Sequence, residues 1–580
     1  MIATLVGVGL LALCALCGVL AADRLTPALP RLERRVLGLV AGLAMLTIAS
    51  YLAALAGFLV LAPALLGVVA LLLVAIRLLT PVPLIDQTAS REKSGIGLPG
   101  VLALALTFAA FAIPLLLRAM PQGWDPAFHS AIVESIKRLG TLPTTWGPYE
   151  PGEKFNYPAA LHAAFALYAR LGGVRSDLAF TLGFVAIGAL MLLAVYALGV
   201  RFGGGEKAGV LAVLLYGLTD GWGTLASHAG WGGLPNLAGL VLMAGFVLAV
   251  AEPTRGSALL AALLAAAIAF THHLSFALLG FSFAVLIALE LITERKPSKV
   301  GRAAFLALAL AVATAGLMVI LRPSGRFDLA SAFKFEREHI TDLYKAWEAM
   351  GPVLLVGGTL GLLATLFTHR EPGQRLLPAW AIALVGFWVL WDMVYRAAVW
   401  WIAHGVWTAL TPSRGLTDAA VPLAVCLAVF LAKILDVMSR RWSWAAVVAV
   451  ALALGAFGYK AERDRIRDAP RDRQAFADAR ELCREVKAKT SDDAILFAPN
   501  AGEVGIWLPY LCNRELNYFP DPGYYQSPYR EAKMRIQDPR EFARYIASQS
   551  QRPTFFATRG RADFALLASA GGWNLYRLEP

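Results

Sequence analysis

At 580 residues the chain could hold about three or four average soluble domains, yet 58% of it is hydrophobic and only 16% is charged. Soluble proteins carry about 25% charged residues; with a mean hydropathy of +0.61, this composition excludes disorder, a nucleic-acid-binding module and a small disulfide scaffold, and indicates a polytopic membrane protein. The net charge of +12 fits Lys and Arg retained in cytoplasmic loops better than a polyanionic partner.

Apolar runs of spanning length begin at Ala3–Ala22, Val36–Ala54, Ala56–Leu79 and Val101–Leu117. They continue through Leu416–Leu435 and Trp442–Phe457, about fourteen in all by the criterion of roughly 20 apolar residues per span. The first run has no base ahead of it and Arg24, Arg31, Arg34 and Arg35 behind it. That polarity is the reverse of a cleavable signal peptide, so the run reads as a retained helix with its N-terminus outside. From this start the inner segments are short and basic: Asp23–Arg35, Arg77–Leu98, Arg201–Lys207, Glu294–Arg302, His369–Arg375 and Lys433–Arg441.

The run Tyr157–Leu171, with His162, Tyr168 and Arg170, is only about four helical turns. Counting it as a span would reverse every loop downstream, so the sequence predicts an interfacial helix over 157–171 on the outer face. Residues 1–459 thus form the membrane domain, with a long outer loop at 119–177. The remainder, 460–580, reads as a small soluble α/β domain outside the membrane. Its predicted elements are a helix at Asp478–Lys489, a strand at Ala494–Ala498, a helix at Pro539–Ser548 capped by Asp538, and strands at Thr554–Ala557 and Trp573–Leu578. Arg463, Arg465, Arg467, Arg471 and Arg473 crowd its membrane-proximal end, which by charge alone favours the inside. Of the five cysteines, Cys483 and Cys512 lie in polar sequence and can pair if this domain meets an oxidising compartment.

The outer loop carries the most chemistry. Asp125 follows a span directly, Pro126 suits a first helical turn, and His129 lies one turn further on. Glu150 and Glu153 come in a turn bracketed by Pro and Gly, followed by Lys154 and the NYP that opens the interfacial helix. Each has an ordinary role available: Asp125 as a helix cap, the glutamates as a solvated loop.

The order of a span, an acid opening a loop, K-x-x-Y-P at a surface helix and a later basic VRFGGGEK resembles the GT-C glycosyltransferases over roughly Val101 to Asn236. The resemblance implies an α-helical polytopic fold with an outer C-terminal domain. It also implies a polyprenyl-phosphate-linked sugar donor and a catalytic carboxylate at Asp125. The adjacent acid pair usual in that family is absent, because Trp124 and Pro126 flank Asp125, and three extra helices precede the matched region. A sugar leaving phosphate needs a base for the acceptor proton and cations for the departing charge. Asp125 suits the base, with His129, Glu150 and Glu153 tuning it, and Lys154 and Arg414 suit the phosphate. For a late-span arginine such as Arg414, or the less favoured Arg396, snorkelling to the interface is the alternative.

Two further outer loops are chemically loaded. TDGWGTLASHAGWGGLPN holds Asp220, Trp222 and His228 among glycines, a composition suited to binding a sugar or acceptor and equally to an interfacial aromatic belt. THHLS places His272 and His273 between two apolar runs, where a hydrogen bond to donor phosphate competes with a structural role. Trp400, Trp401, His404 and Trp407 read as interfacial. No cofactor is required by these residues, and a divalent cation, Mg or Mn, stays an open option with no assigned ligands. The expected partners are the lipid-linked donor, a glycan, lipid or protein acceptor and membrane lipid, with no nucleic acid. The expected location is a plasma (inner) membrane crossed many times. The alternatives are a polymerase or ligase of lipid-linked glycans, a non-catalytic lipid-handling scaffold, or a transporter, which should show inverted repeats.

Overall fold

The computed structural model describes residues 2–79, 95–118, 120, 125–147, 150–155, 157–221, 223–231, 233–320, 343–369, 371–397, 412–498, 502–516, 536, 538–550 and 552–578. Among these, nine helices are long and apolar enough to cross a membrane. They are joined by the shorter apolar helices Arg255–Thr271 and Arg441–Ala456. The expected run at Ala208–Leu218 forms a helix of 13 residues, Glu206–Leu218, about 20 Å long at 1.5 Å per residue and therefore shorter than a bilayer core. The expected Trp400, Trp401, His404 and Trp407 cluster lies outside the described residues.

In chain order, α1 (Ile2–Leu25), α2 (Arg31–Leu55), α3 (Ala62–Leu79) and α4 (Leu98–Leu117) precede the loop helices α5 (Asp125–Leu139) and α6 (Ala160–Gly172). Next come α7 (Ser176–Gly203), α8 (Glu206–Leu218), the short α9 (Leu225–Trp231), α10 (Leu234–Ala251), α11 (Arg255–Thr271), α12 (His273–Glu294) and α13 (Lys299–Ile320). The membrane domain closes with α14 (Leu343–Pro352), α15 (Thr359–Thr368), α16 (Pro372–Ala397) and α17 (Pro412–Asp436). In α10 all 18 residues are buried, making it the central helix. In lipid, helices associate by close packing rather than by a hydrophobic drive. Accordingly α1 and α2 cross on glycine, where a Cβ on Gly18 would run into the carbonyl of Gly38.

One end of the bundle collects the basic segments. Arg34 and Arg77 both pair with Asp23 (3.0 and 3.5 Å), Arg201 with Glu33 (3.5 Å) and Glu252 (2.5 Å), Arg375 with Glu294 (2.6 Å) and Lys207 with Asp436 (2.6 Å). These contacts join the segments that sequence assigned to a common side. Helix α5 belongs to the other end. Leu59 N–H and Thr141 Oγ1 tie Gly140 and Ala54 together at the far end of α2 from Arg31. Helix α6 lies beside α5 and parallel to it: His162 meets His129 and Arg170 meets the Lys137 carbonyl, both at an offset of 33 residues. It also packs along α1, with Tyr168 against Gly7 and Gly172 against Ala3. Its observed bounds differ from the expected 157–171 by three residues at the start. Cysteines introduced at the exposed positions Thr144 and Arg175 should therefore label together with an impermeant reagent in intact cells. Labelling of one and protection of the other would make α6 a span.

The expected boundary at 460 falls inside one continuous helix, α18 (Arg440–Lys489), of 50 residues. It leaves the membrane domain and forms part of the C-terminal domain without a break. There a five-stranded sheet has the order β4-β3-β5-β7-β6, built from β3 (Ile495–Phe497), β4 (Glu515–Leu516), β5 (Thr554–Thr558), β6 (Ala565–Ala570) and β7 (Trp573–Leu578). The pairs β4–β3 and β3–β5 are parallel; β5–β7 and β7–β6 are antiparallel. Side chains alternate between faces. Leu496, Phe555, Ala557, Trp573 and Leu575 pack toward α18 and α19 (Gly502–Cys512). Ile495, Phe497, Phe556, Tyr576 and Leu578 pack toward α20 (Pro539–Gln549). Asp538 caps α20 by accepting from Arg540 N–H at 2.9 Å. Cys483 of α18 and Cys512 of α19 are joined in a disulfide.

Candidate active site

Helix α4 stops where Arg118 turns extended, and after a few residues α5 opens on Asp125 with Pro126 behind it. The carboxylate thus sits in the first turn, where the unpaired N–H groups and the helix dipole favour a negative charge. One turn later His129 is buried, 4% exposed, and its Nδ1 lies 3.0 Å from Nε2 of the fully buried His162. Tyr157 and Phe180 enclose the pair, with ring centroids 5.4–5.7 Å away. Burial pushes the His162 imidazole down to about 3 from its ordinary 6.5, so at neutral pH it is uncharged and can share only a single proton with His129.

Helix α5 is a joint as well as a carrier. Its Ala127 and Ala131 are buried in the core of the C-terminal domain beside Phe476, Trp507 and Leu508. Ile132, Val133 and Ile136 enter the core of the membrane domain. The two alanines let the soluble domain approach the helix closely. The backbone of Glu150, Glu153 and Lys154 forms β2 (Glu150–Lys154), paired antiparallel with β1 (Thr145–Trp146); the side chains of those three residues lie outside the described part of the structure.

The two other loaded loops meet in a second buried group. The Asn236 amide nitrogen donates to Asp418 Oδ1 at 2.9 Å and lies 3.3 Å from His228 Nε2. Asn236 Oδ1 accepts from Ser275 Oγ at 3.3 Å, which in turn lies 2.8 Å from His272 Nδ1. His228 Nδ1 sits 2.9 Å from the Thr224 carbonyl. A carbonyl can only accept, so that nitrogen carries the proton and Nε2 accepts from Asn236. Both ring nitrogens of His228 are thus engaged in holding α9, α10 and α17 together. His272 caps α12, accepting from Ser275 N–H, while the adjacent His273 has no hydrogen-bond partner for Nδ1 among the described residues. The network fixes three helix ends, so Asn236→Leu, which removes the amide donor from a buried carboxylate, should cost about 1.5–3 kcal/mol. A lower unfolding midpoint in detergent would show this; an unchanged midpoint would mean that the network carries no stability.

The glycines of TDGWGT have a packing use that composition did not reveal. Gly223 lies against α17, where a Cβ would strike the Thr417 carbonyl, and its N–H donates to Ala349 O at 2.8 Å. Gly221 (φ +139°) and Gly351 (φ +65°) bring the backbones of this loop and α14 into contact. Asp220 is exposed and accepts from Gly221 N–H at 2.9 Å; Trp222 lies outside the described residues. Arg414 is in the first turn of α17, four residues before Asp418, and its side chain, like that of Arg396, is outside the described part. Among the described residues no group of three or more His, Cys, Asp or Glu is placed to hold a metal ion. Sequence reasoning missed Asn236, Ser275 and Asp418 as members of a site. Only Asp418, an acid within an otherwise apolar late helix, carried a signal.

The crystal structure of ArnT from Cupriavidus metallidurans bound to undecaprenyl phosphate superposes on this chain with a TM-score of 0.52, covering 82% of this chain and 97% of ArnT at 11% identity. The chain has a GT-C fold. No protein family and no curated protein sequence matches it. At this identity the likeness to ArnT concerns architecture alone.

Proposed function

We propose that this protein is a membrane glycosyltransferase that moves a sugar from a polyprenyl-phosphate donor to a glycan, lipid or protein acceptor on the outer face of the membrane. The observation that carries the reading is Asp125, at the head of a helix wedged between the two domains, in a chain whose fold matches that of a protein seen with undecaprenyl phosphate. In the reaction an acceptor O–H attacks the anomeric carbon, the bond from that carbon to phosphate oxygen breaks, and polyprenyl phosphate departs. Asp125 takes the acceptor proton, and Lys154 and Arg414, aided by His272 and His273, receive the phosphate charge. Asp220 and Trp222 are assigned to the sugar or acceptor, while His228 acts as a positioning residue because both its nitrogens are engaged.

Orientation follows from charge. The basic segments collect at one end of the bundle and α5 at the other, and basic short loops stay in the cytoplasm. On that rule we read α5 and the C-terminal domain as outside, and the disulfide there supports the reading, since such bridges persist in oxidising compartments. The deciding experiment incubates purified protein with a panel of polyprenyl-phosphate monosaccharides and, separately, polyprenyl-diphosphate oligosaccharides. Transfer from the first class is expected. Transfer only from the second would make the protein a glycan polymerase or ligase, and binding of either without transfer would make it a scaffold.

A further inference from the structure

The first turn of α7 contains a carboxylate that neither the donor nor the acceptor needs. Asp177 is 2% exposed, and a buried charge persists only where it is paired and hydrogen-bonded. Its partners come from three directions. Arg175 donates to both of its oxygens at 3.1–3.2 Å. Tyr510 of α19 donates its hydroxyl proton to Oδ1 at 3.0 Å and accepts from the Asp177 N–H at 3.1 Å. Arg480 of α18 lies 3.5 Å from Oδ2. The neighbouring Ser176 donates to Glu134 of α5 at 2.7 Å, and Arg138 of α5 reaches Asn513, just past α19, at 3.4 Å.

This is a single connected assembly. Two groups of the C-terminal domain grip the start of α7, and the start of α7 in turn grips α5. The disulfide between Cys483 and Cys512 ties together the two helices that supply Tyr510 and Arg480. Nearer the start of α5, on the same helix face, the contact is apolar, through Ala127 and Ala131, and apolar contact alone resists sliding poorly because it has no directional bonds. The polar grip supplies the direction. Its attachment points on α5, Glu134 and Arg138, lie more than two helical turns from Asp125.

We propose that Tyr510, through its two hydrogen bonds to Asp177, is a latch by which the C-terminal domain sets the seat of α5, and hence that Tyr510 is a positioning residue for Asp125. The catalytic half of this inference rests on the glycosyltransferase reading; the mechanical half does not. The test is Tyr510→Phe, which removes one hydroxyl and keeps the ring in its place beside Trp507. Amide hydrogen exchange and sugar transfer are measured on the full-length protein in nanodiscs. Exchange across 125–139 should quicken by about tenfold, the effect of losing a hydrogen bond to a charged group, while the sheet between 495 and 578 keeps its parental protection. Turnover should fall by a similar factor with the donor KM unchanged, because a displaced base harms the transition state and leaves ground-state binding alone. Unchanged exchange in α5, or a rise spread equally over the sheet, overturns the latch. Looser α5 with parental turnover overturns the positioning role. Looser α5 in a protein whose parent transfers no sugar leaves the latch standing and removes the enzymatic reading instead.

Discussion

Asp125→Asn should bind the lipid donor as the parent does and transfer sugar about 10²–10⁴-fold more slowly, the usual effect of removing a general base. The amide has nearly the shape of the carboxylate and can still serve the first turn of α5, so the fold should survive. It cannot take a proton from an acceptor hydroxyl. The surroundings argue for a chemical effect over a structural one: α5 is anchored by Ala127, Ala131, Ile132 and Val133, none of which the substitution disturbs. Arg414→Ala should behave differently, raising the donor KM as well as lowering turnover, because a phosphate contact exists in ground and transition states alike. Measuring donor binding and transfer side by side for both variants separates the roles. Parental transfer by Asp125→Asn would reduce Asp125 to a helix cap.

What the sequence disclosed, and what it did not, divides along the range of the interactions. The positions of spans such as α1, α2, α7 and α10 follow from local hydropathy, and the basic segments between them from local charge. These properties act on each segment alone, and the ion pairs of Asp23, Glu33 and Glu252 join segments that charge had already placed on a common side. The strand at 495–497 and the capped α20 were likewise legible, the second because Asp538 and Pro539 mark a helix start. Helix α19 was not: Gly502, Gly505 and Pro509 blur its periodicity, and its helical form depends on packing against α18 and α5. The same limit hid the partners of single residues. His162 looked like any histidine in an amphipathic helix until α5 brought His129 to it. The glycines of TDGWGT, which suggested sugar contact, are required by backbones meeting at Thr417, Ala349 and Asp220. Asp177 stands two residues after Arg175 in an ordinary helix start, and nothing nearby in sequence announces Tyr510, 333 residues away.

Replacing Cys483 and Cys512 by serine should destabilise the C-terminal domain by about 3–4 kcal/mol, the loop-closure value for a cross-link of this span. The bridge closes 29 residues, from the last turns of α18 through β3 to the end of α19, and both half-cystines are buried at 2% and 0% exposure. Two buried hydroxyls would replace it, so the loss should not be smaller than the entropic value by much. The unfolding midpoint of the domain, followed by its tryptophan emission, gives the measurement; Trp507 and Trp573 are both buried in the affected core. The same bridge bears on the compartment. Protein denatured without reductant should expose three alkylatable thiols, Cys14, Cys17 and Cys426, and all five only after reduction. Five thiols without reductant, in protein taken directly from membranes with free thiols blocked at lysis, would remove the bridge but not the outer location, which rests on charge: the basic ends of α2, α7 and α12 lie at the opposite end of the bundle from α5. Three thiols would support both, because a domain docked on α5 shares its side of the membrane with Asp125.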